Sequence, residues 1–261
     1  MKKGLIIGGA VLTVVVLILG YGFYNASKVR SYAKDVDAII TESDATWNTK
    51  EIEKSSSSIT DLQKEMNKVK TDSEVQLAKL NSMSAPGKAK DLEKKTKEYF
   101  VLAKNVADQT ATFLEYVKVV EASGNDLKNI DSGATTPSAA GVAATFTKMH
   151  NALSATITKL EAATPPSSMK DFHDKYIAAL KKMDAAIVKG IDYANANQLD
   201  KLSTITTDLD GAVKDLNAIK TPSNDTILED LVTKANKDKL DKYPDQIKAE
   251  AQKLEKTIIS Y

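Results

Sequence analysis

From Leu92 to Leu127 an apolar or aromatic side chain returns at every seventh position: Leu92, Tyr99, Val106, Phe113, Val120 and Leu127, with Leu102 and Tyr116 between them. A chain with this period has few options. Residues seven apart fall on one side of an α-helix, whereas a strand would send them to opposite faces. The spacing predicts one long helix whose apolar seam has to be covered by other helices. Similar stripes fill most of the chain. Between Thr49 and Met83, Ile52, Ile59, Met66 and Leu80 stand at multiples of seven, with Leu62 and Val69 interleaved. Val29, Tyr32, Val36 and Ile39 precede them. Val142, Phe146, Met149, Leu153 and Leu160 follow, then Phe172, Tyr176, Leu180, Met183, Ile187 and Ile191. After a turn at 195–198 come Leu202, Ile205, Leu209, Val213, Leu216 and Ile219. Two weaker helices are expected last, one over Ile227–Ala235 and one opened by Pro244 and holding Ile247, Leu254 and Ile258.

Glycine (11), proline (6) and aromatic residues (6%) are too sparse for many short strands separated by turns. The prolines instead punctuate helices. Leu80 precedes Pro86, Leu160 precedes Pro166 and Leu216 precedes Pro222, each by six positions. The residue before a proline is driven out of the helical region, and proline then suits the first turn of the next helix. An ungapped shift of 80 residues superposes Lys79-Leu80 on Lys159-Leu160, Pro86 on Pro166, Lys90-Asp91-Leu92 on Lys170-Asp171-Phe172 and Lys95 on Lys175. Tight bends made twice imply a duplicated hairpin and antiparallel neighbours.

At the N-terminus Lys2 and Lys3 precede 24 positions, Gly4 to Ser27, that carry no charge. That exceeds the roughly 20 residues needed to cross a hydrocarbon core. Tyr21, Phe23 and Tyr24 cluster at its far end, where aromatic rings favour the interface. The run is longer than the apolar core of a cleavable signal peptide, so an uncleaved anchor is expected. The lysines at positions 2 and 3 favour an inside N-terminus and an extracytoplasmic body, although Lys28, Arg30 and Lys34 on the other flank oppose this.

The expected fold is therefore all-α: an N-terminal transmembrane helix followed by an elongated up-and-down antiparallel helical bundle with a duplicated helical hairpin. Its expected parts are a tail and anchor over 1–27, a helical stalk over 28–48, a first long hairpin over 49–130 and a linker over 131–141. A second hairpin with following helices spans 142–243, and a C-terminal helix spans 244–261. Residues 24–42, YNASKVRSYAKDVDAIITE, loosely resemble the start of LemA-type proteins, which place a helical bundle after an N-terminal anchor. The tryptophan-centred, arginine-rich stretch of that family is missing next, and the resemblance implies no function.

Chemistry is scarce. The formal net charge is +1, and Arg30 is the sole arginine among 36 basic residues, which argues against nucleic acid as a partner. Without cysteine there is no disulfide, thiolate zinc site or cysteine nucleophile. His150 and His173 lack the carboxylate spacings of zinc or di-iron sites. No Gly-rich phosphate loop or nucleophile elbow occurs, so no catalytic, metal or cofactor residue is assigned. The expectation is a non-enzymatic, membrane-anchored extracytoplasmic module that binds, spaces or scaffolds in the cell envelope. Residues 4–27 would meet lipid, and the body would meet a protein or envelope partner or another copy of itself. Polar positions in the seams, Ser55, Ser73, Gln76 and Gln109, are candidate partner-facing sites or register devices. Two alternatives remain: a solute-binding or sensory bundle with a pocket lined by Tyr99, Phe172 and Tyr176, and a cytoplasm-facing tethered scaffold.

Overall fold

A computed structural model describes residues 23–44, 58–128 and 138–258. The secondary structure of these residues is entirely helical, and packed helices run antiparallel. Helix α1 covers 23–44, α2 is Ile59–Ser82, α3 Lys90–Lys128 and α4 Ala139–Ala162. Then come α5 (Lys170–Asn195), α6 (Leu202–Ala218), α7 (Asn224–Leu231) and α8 (Lys234–Glu255). Short 3-10 turns at Gly87–Ala89, Ser167–Met169 and Leu199–Lys201 lead into α3, α5 and α6. The apolar run expected to cross a membrane lies, up to residue 22, outside the described residues. Among the described residues no helix is long and apolar enough to span one.

The chain divides into two compact units, Met1–Thr110 with Val232–Tyr261, and Ala111–Leu231. The division falls inside α3, which gives residues 90–110 to one unit and 111–128 to the other. It does not fall in the segment 131–141, of which 131–137 lie outside the described residues.

In the first unit α1 buries Ala26, Val29, Tyr32, Ala33, Val36, Ile39, Ile40 and Ser43, a spacing of threes and fours that makes one helix face. The stripe read from Val29, Tyr32, Val36 and Ile39 is therefore its inward face. That face shares a core with Leu80, Leu92, Tyr99, Phe100, Ile247 and Ala251, so α1 is a packed member of the unit where a stalk was expected. Helix α8 also differs from expectation: it runs unbroken through Pro244, where a new helix was predicted to begin. Proline removes one i→i−4 hydrogen bond and crowds the preceding turn. Leu240 and Tyr243 before it, and Ile247, Ala251 and Leu254 after it, all pack on the same core, which holds both arms in line.

In the second unit Leu153, Ile157 and Leu160 of α4 meet Leu180 and Ile187 of α5. Val119, Val120 and Leu127 of α3 and Leu209 and Leu216 of α6 close over them. At Gly190 of α5 an added Cβ would stand 2.7 Å from Cε2 of Phe146, so the missing side chain is what admits the ring. Asp230 of α7 accepts hydrogen bonds from the Ser167 hydroxyl and, at 2.9 Å, from the Ser168 amide. Those bonds, the hydroxyl's first, hold its carboxyl below the usual range and tie α7 to the start of α5.

The 80-residue shift seen in the sequence also relates the helices. Helices α2 and α4 are each 24 residues long. They begin after Ser58 and Ser138, whose hydroxyl oxygens accept from the amides of Asp61 and Gly141, both at 3.1 Å. They end at Met83 and Ala163, both extended. Leu80 and Leu160 are fully buried, as are Phe100 and its counterpart Leu180. Ser43 and Ser123, also 80 apart, are both buried.

The seven-residue series in α3 is buried only at its start. Leu92 and Tyr99 are buried, whereas Val106, Phe113, Val120 and Leu127 are half-covered. The buried face instead follows Leu92, Ala103 and Leu114, with Ala89, Phe100 and Ala111 beside it, at spacings of eleven. A straight helix drifts about 20° per heptad, and eleven residues overshoot three turns by about as much in the opposite sense, so the eleven-residue row drifts less per residue. The large side chains therefore slide to the margin, and alanines take the centre.

Candidate functional site: grooves at the proline bends

At three bends the residue after the helix turns extended: Met83 (φ −87°, ψ 143°), Ala163 (φ −80°, ψ 138°) and Ile219 (φ −71°, ψ 120°). The amides of Ala163 and Ile219 still cap the carbonyls of Leu160 and Leu216, at 3.0 and 3.2 Å. That leucine is the last core residue, and beyond it the chain swings off its helix. A groove opens beside each of these bends.

The first groove, in the first unit, has a volume of about 730 Å³. One wall is α1, with Lys28, Tyr32 and Asp35; the other is the bend 83–88, with Ser84 and Lys88. The second and third lie in the second unit and measure about 410 and 320 Å³. Thr112, Glu115, Lys159 and Thr164 line the second, and Lys175, Lys182, Asp215 and Ile219 the third. The first two grooves are counterparts under the 80-residue shift: Tyr32 corresponds to Thr112, Asp35 to Glu115 and Ser84 to Thr164.

Their electrostatics differ. In the second groove Lys159 pairs with Asp126 at 2.7 Å. In the third, Lys182 pairs with Asp215 at 2.5 Å and Lys175 with Asp171 at 2.7 Å. In the first, Lys28 lies 4.5 Å from the centre of the Tyr24 ring, and neither it nor Lys88 has a carboxylate within ion-pair distance among the described residues. Tyr32 adds a second anomaly. It is 5% exposed, and its hydroxyl has no hydrogen-bond partner among the described residues. Burial, then the nearby Glu93 carboxylate, pushes its ionisation far up, so it remains a neutral phenol.

Other polar groups inside the units are mostly satisfied. Asp72 accepts from Ser43 at 3.2 Å and from Gln76 at 3.2 Å. Tyr116 and Nδ1 of His173 lie 3.2 Å apart in the second unit. Burial depresses the His173 imidazole and raises the Tyr116 phenol to about 12. His150 Nδ1 is 2.8 Å from Asp184. Among the described residues no three histidine or carboxylate side chains gather as a metal site.

The residues singled out in the sequence are scattered. Tyr99 is buried edge-on against Phe100, with ring centres 5.2 Å apart. Phe172 and Tyr176 stack on each other at 5.7 Å. None of these three lines a described groove. Ser73 is buried and donates to the Val69 carbonyl at 2.7 Å. Gln76 is buried, with its Oε1 unpartnered among the described residues. Gln109 stands on an exposed face rather than in a seam. Ser55 lies outside the described residues. Sequence reasoning missed Lys28, Tyr32 and Lys88 as a group. The available signal was the bend itself, which brings residues 83–88 against α1. No protein-family model matches this chain, and no match is found among known proteins or solved structures.

Proposed function

We propose that the chain is a membrane-tethered, non-catalytic binding or spacing module of the cell envelope, with a duplicated helical hairpin displayed on the extracytoplasmic side. The observation that carries this is the uncharged run Gly4–Ser27 followed at once by packed helix. The buried face of α1 begins at Ala26 and Val29, so the helical body starts within about one turn of the run's end. The hydropathy of the run supplies the anchor. Around the rest, long amphipathic helices supply surface. The lysine–carboxylate pairs along it, such as Lys95–Glu250 at 3.1 Å and Lys181–Glu161 at 2.5 Å, suit a solvated surface.

The absence of cysteine makes the test direct. Ser203 is exposed on α6, and Ser203→Cys introduces one thiol. A membrane-impermeant maleimide applied to intact cells should label it. Labelling only after lysis places the body in the cytoplasm and replaces this reading with a tethered cytoplasmic scaffold.

A further inference from the structure

We infer that the groove between α1 and the 83–88 bend holds the phosphodiester headgroup of an anionic lipid. The site rests in part on the reading of residues 4–27 as an anchor, because the groove's first lining residue, Asn25, lies at the end of that run.

The three grooves have the same architectural origin, so differences between them are informative. Lysines lining the other two are matched by Asp126, Asp171 and Asp215, whereas Lys28 and Lys88 converge from two elements without an ion-pair partner among the described residues. Asp35 is the single carboxylate among the lining residues, which leaves the lining net positive. Asn25, Ser31 and Ser84 add neutral hydrogen-bonding groups to the lining. A phosphodiester fits two ammonium groups, and hydroxyls on its glycerol match Asp35 and the serines. At 730 Å³ the groove has room for a headgroup. Lys28 directly follows the uncharged run, where a basic side chain attracts anionic lipid.

The full chain, purified in mild detergent, would be titrated with phosphatidylglycerol, phosphatidylcholine and soluble glycerol 3-phosphate, with bound ligand read by native mass spectrometry. One phosphatidylglycerol should bind in preference to phosphatidylcholine. Lys28→Ala with Lys88→Ala should weaken it about ten-fold or more. Lys175→Ala with Lys182→Ala, at the third groove, should leave it unchanged. Lys28 and Lys88 are both exposed, so their double variant should keep the wild-type melting temperature. Equal binding of the two lipids, or undiminished phosphatidylglycerol binding by the Lys28/Lys88 variant, overturns the assignment. Glycerol 3-phosphate binding as tightly as the lipid would make the ligand a soluble anion and also overturn it. Alkaline extraction of membranes from expressing cells tests the anchor separately. A chain released by alkali that still selects phosphatidylglycerol would remove the anchor and leave the groove standing.

Discussion

Gly190 is where α5 gives way to the Phe146 ring, and a single methyl group there has nowhere to go. An added Cβ would lie 2.7 Å from one ring carbon and 2.8 Å from the next. Overpacking of this kind costs typically 1–3 kcal/mol, more than the alanine's gain in helix propensity. Gly124 and Gly211 also lie in helices, but a Cβ on either meets nothing within 4 Å. Gly190→Ala should therefore lower stability in urea melts by about 1–2 kcal/mol, and Gly124→Ala and Gly211→Ala should each raise it by about 0.5–1 kcal/mol. Ser43 and Ser123 make a similar contrast. Ser43 donates to Asp72, but the position 80 residues after Asp72 is Ala152, and the Ser123 hydroxyl is buried without a partner among the described residues. Ser123→Ala should stabilise by up to about 1 kcal/mol, while Ser43→Ala should be neutral or destabilising, since it breaks a made bond. His173 is the residue where pH enters. Burial is the main cause of its lowered pKa, with Lys170 adding to it and Asp174 opposing. A folded pKa below the unfolded one means that the unfolded chain binds the proton more readily. The stabilising contribution is complete above the ordinary histidine range and is lost as pH falls through about 6.5 towards the depressed value. Thermal melts at pH 7.5 and 5 should show this fall, and His173→Asn should flatten the part of it that the wild type shows.

At the level of the helix, much of the fold is readable because apolar periodicity and proline position each encode one thing well. The stripes on α1, α4, α5 and α6 and the Leu–Pro bends follow from period and from proline's steric demand on its neighbour. Two elements resist that reading. In α3 the seven-residue series is made of large residues, which draw attention, while the buried centre is held by Ala103, Ala107 and Ala111. Alanine carries little hydropathy signal, so the eleven-residue face that packs is fainter in the sequence than the heptad that does not. In α8 the proline outweighs pattern at the sequence level, because nothing local shows that Leu240 and Ile247 bury against one core. The groove was less readable still. Tyr32 belongs to a legible stripe, but Lys88 meets α1 only through the tertiary path of the bend. The continuity of α8 has a consequence. Pro244→Ala restores a backbone donor inside a helix already held straight, so it should raise stability by about 1–3 kcal/mol. An unchanged or lowered midpoint in denaturant would mean that the proline's fixed φ is needed there.

At the level of the whole chain, the two core clusters share no residue, and the units they define are built around Leu80 and Leu160, which occupy equivalent places and are both fully buried. Every residue of the first cluster belongs to the first unit and every residue of the second to the other. Burial of apolar area is the main favourable term in folding, so each unit carries its own source of stability. Helix α3 alone contributes to both. Truncating a buried leucine to alanine removes transfer energy and leaves a cavity, at a cost of about 2–5 kcal/mol. If the units open separately, that loss should remain where it is made. Amide hydrogen exchange on Leu160→Ala should show faster exchange across α4, α5 and α6, with α1 and α8 near wild-type protection. Leu80→Ala should do the reverse, exposing α1, α2 and α8 and sparing α5. The segment Thr110–Ala111 in α3 should mark where the two responses meet. If either variant instead lowers protection equally in α1 and α5, the chain opens as one cooperative body, and the division at Thr110 has no energetic meaning.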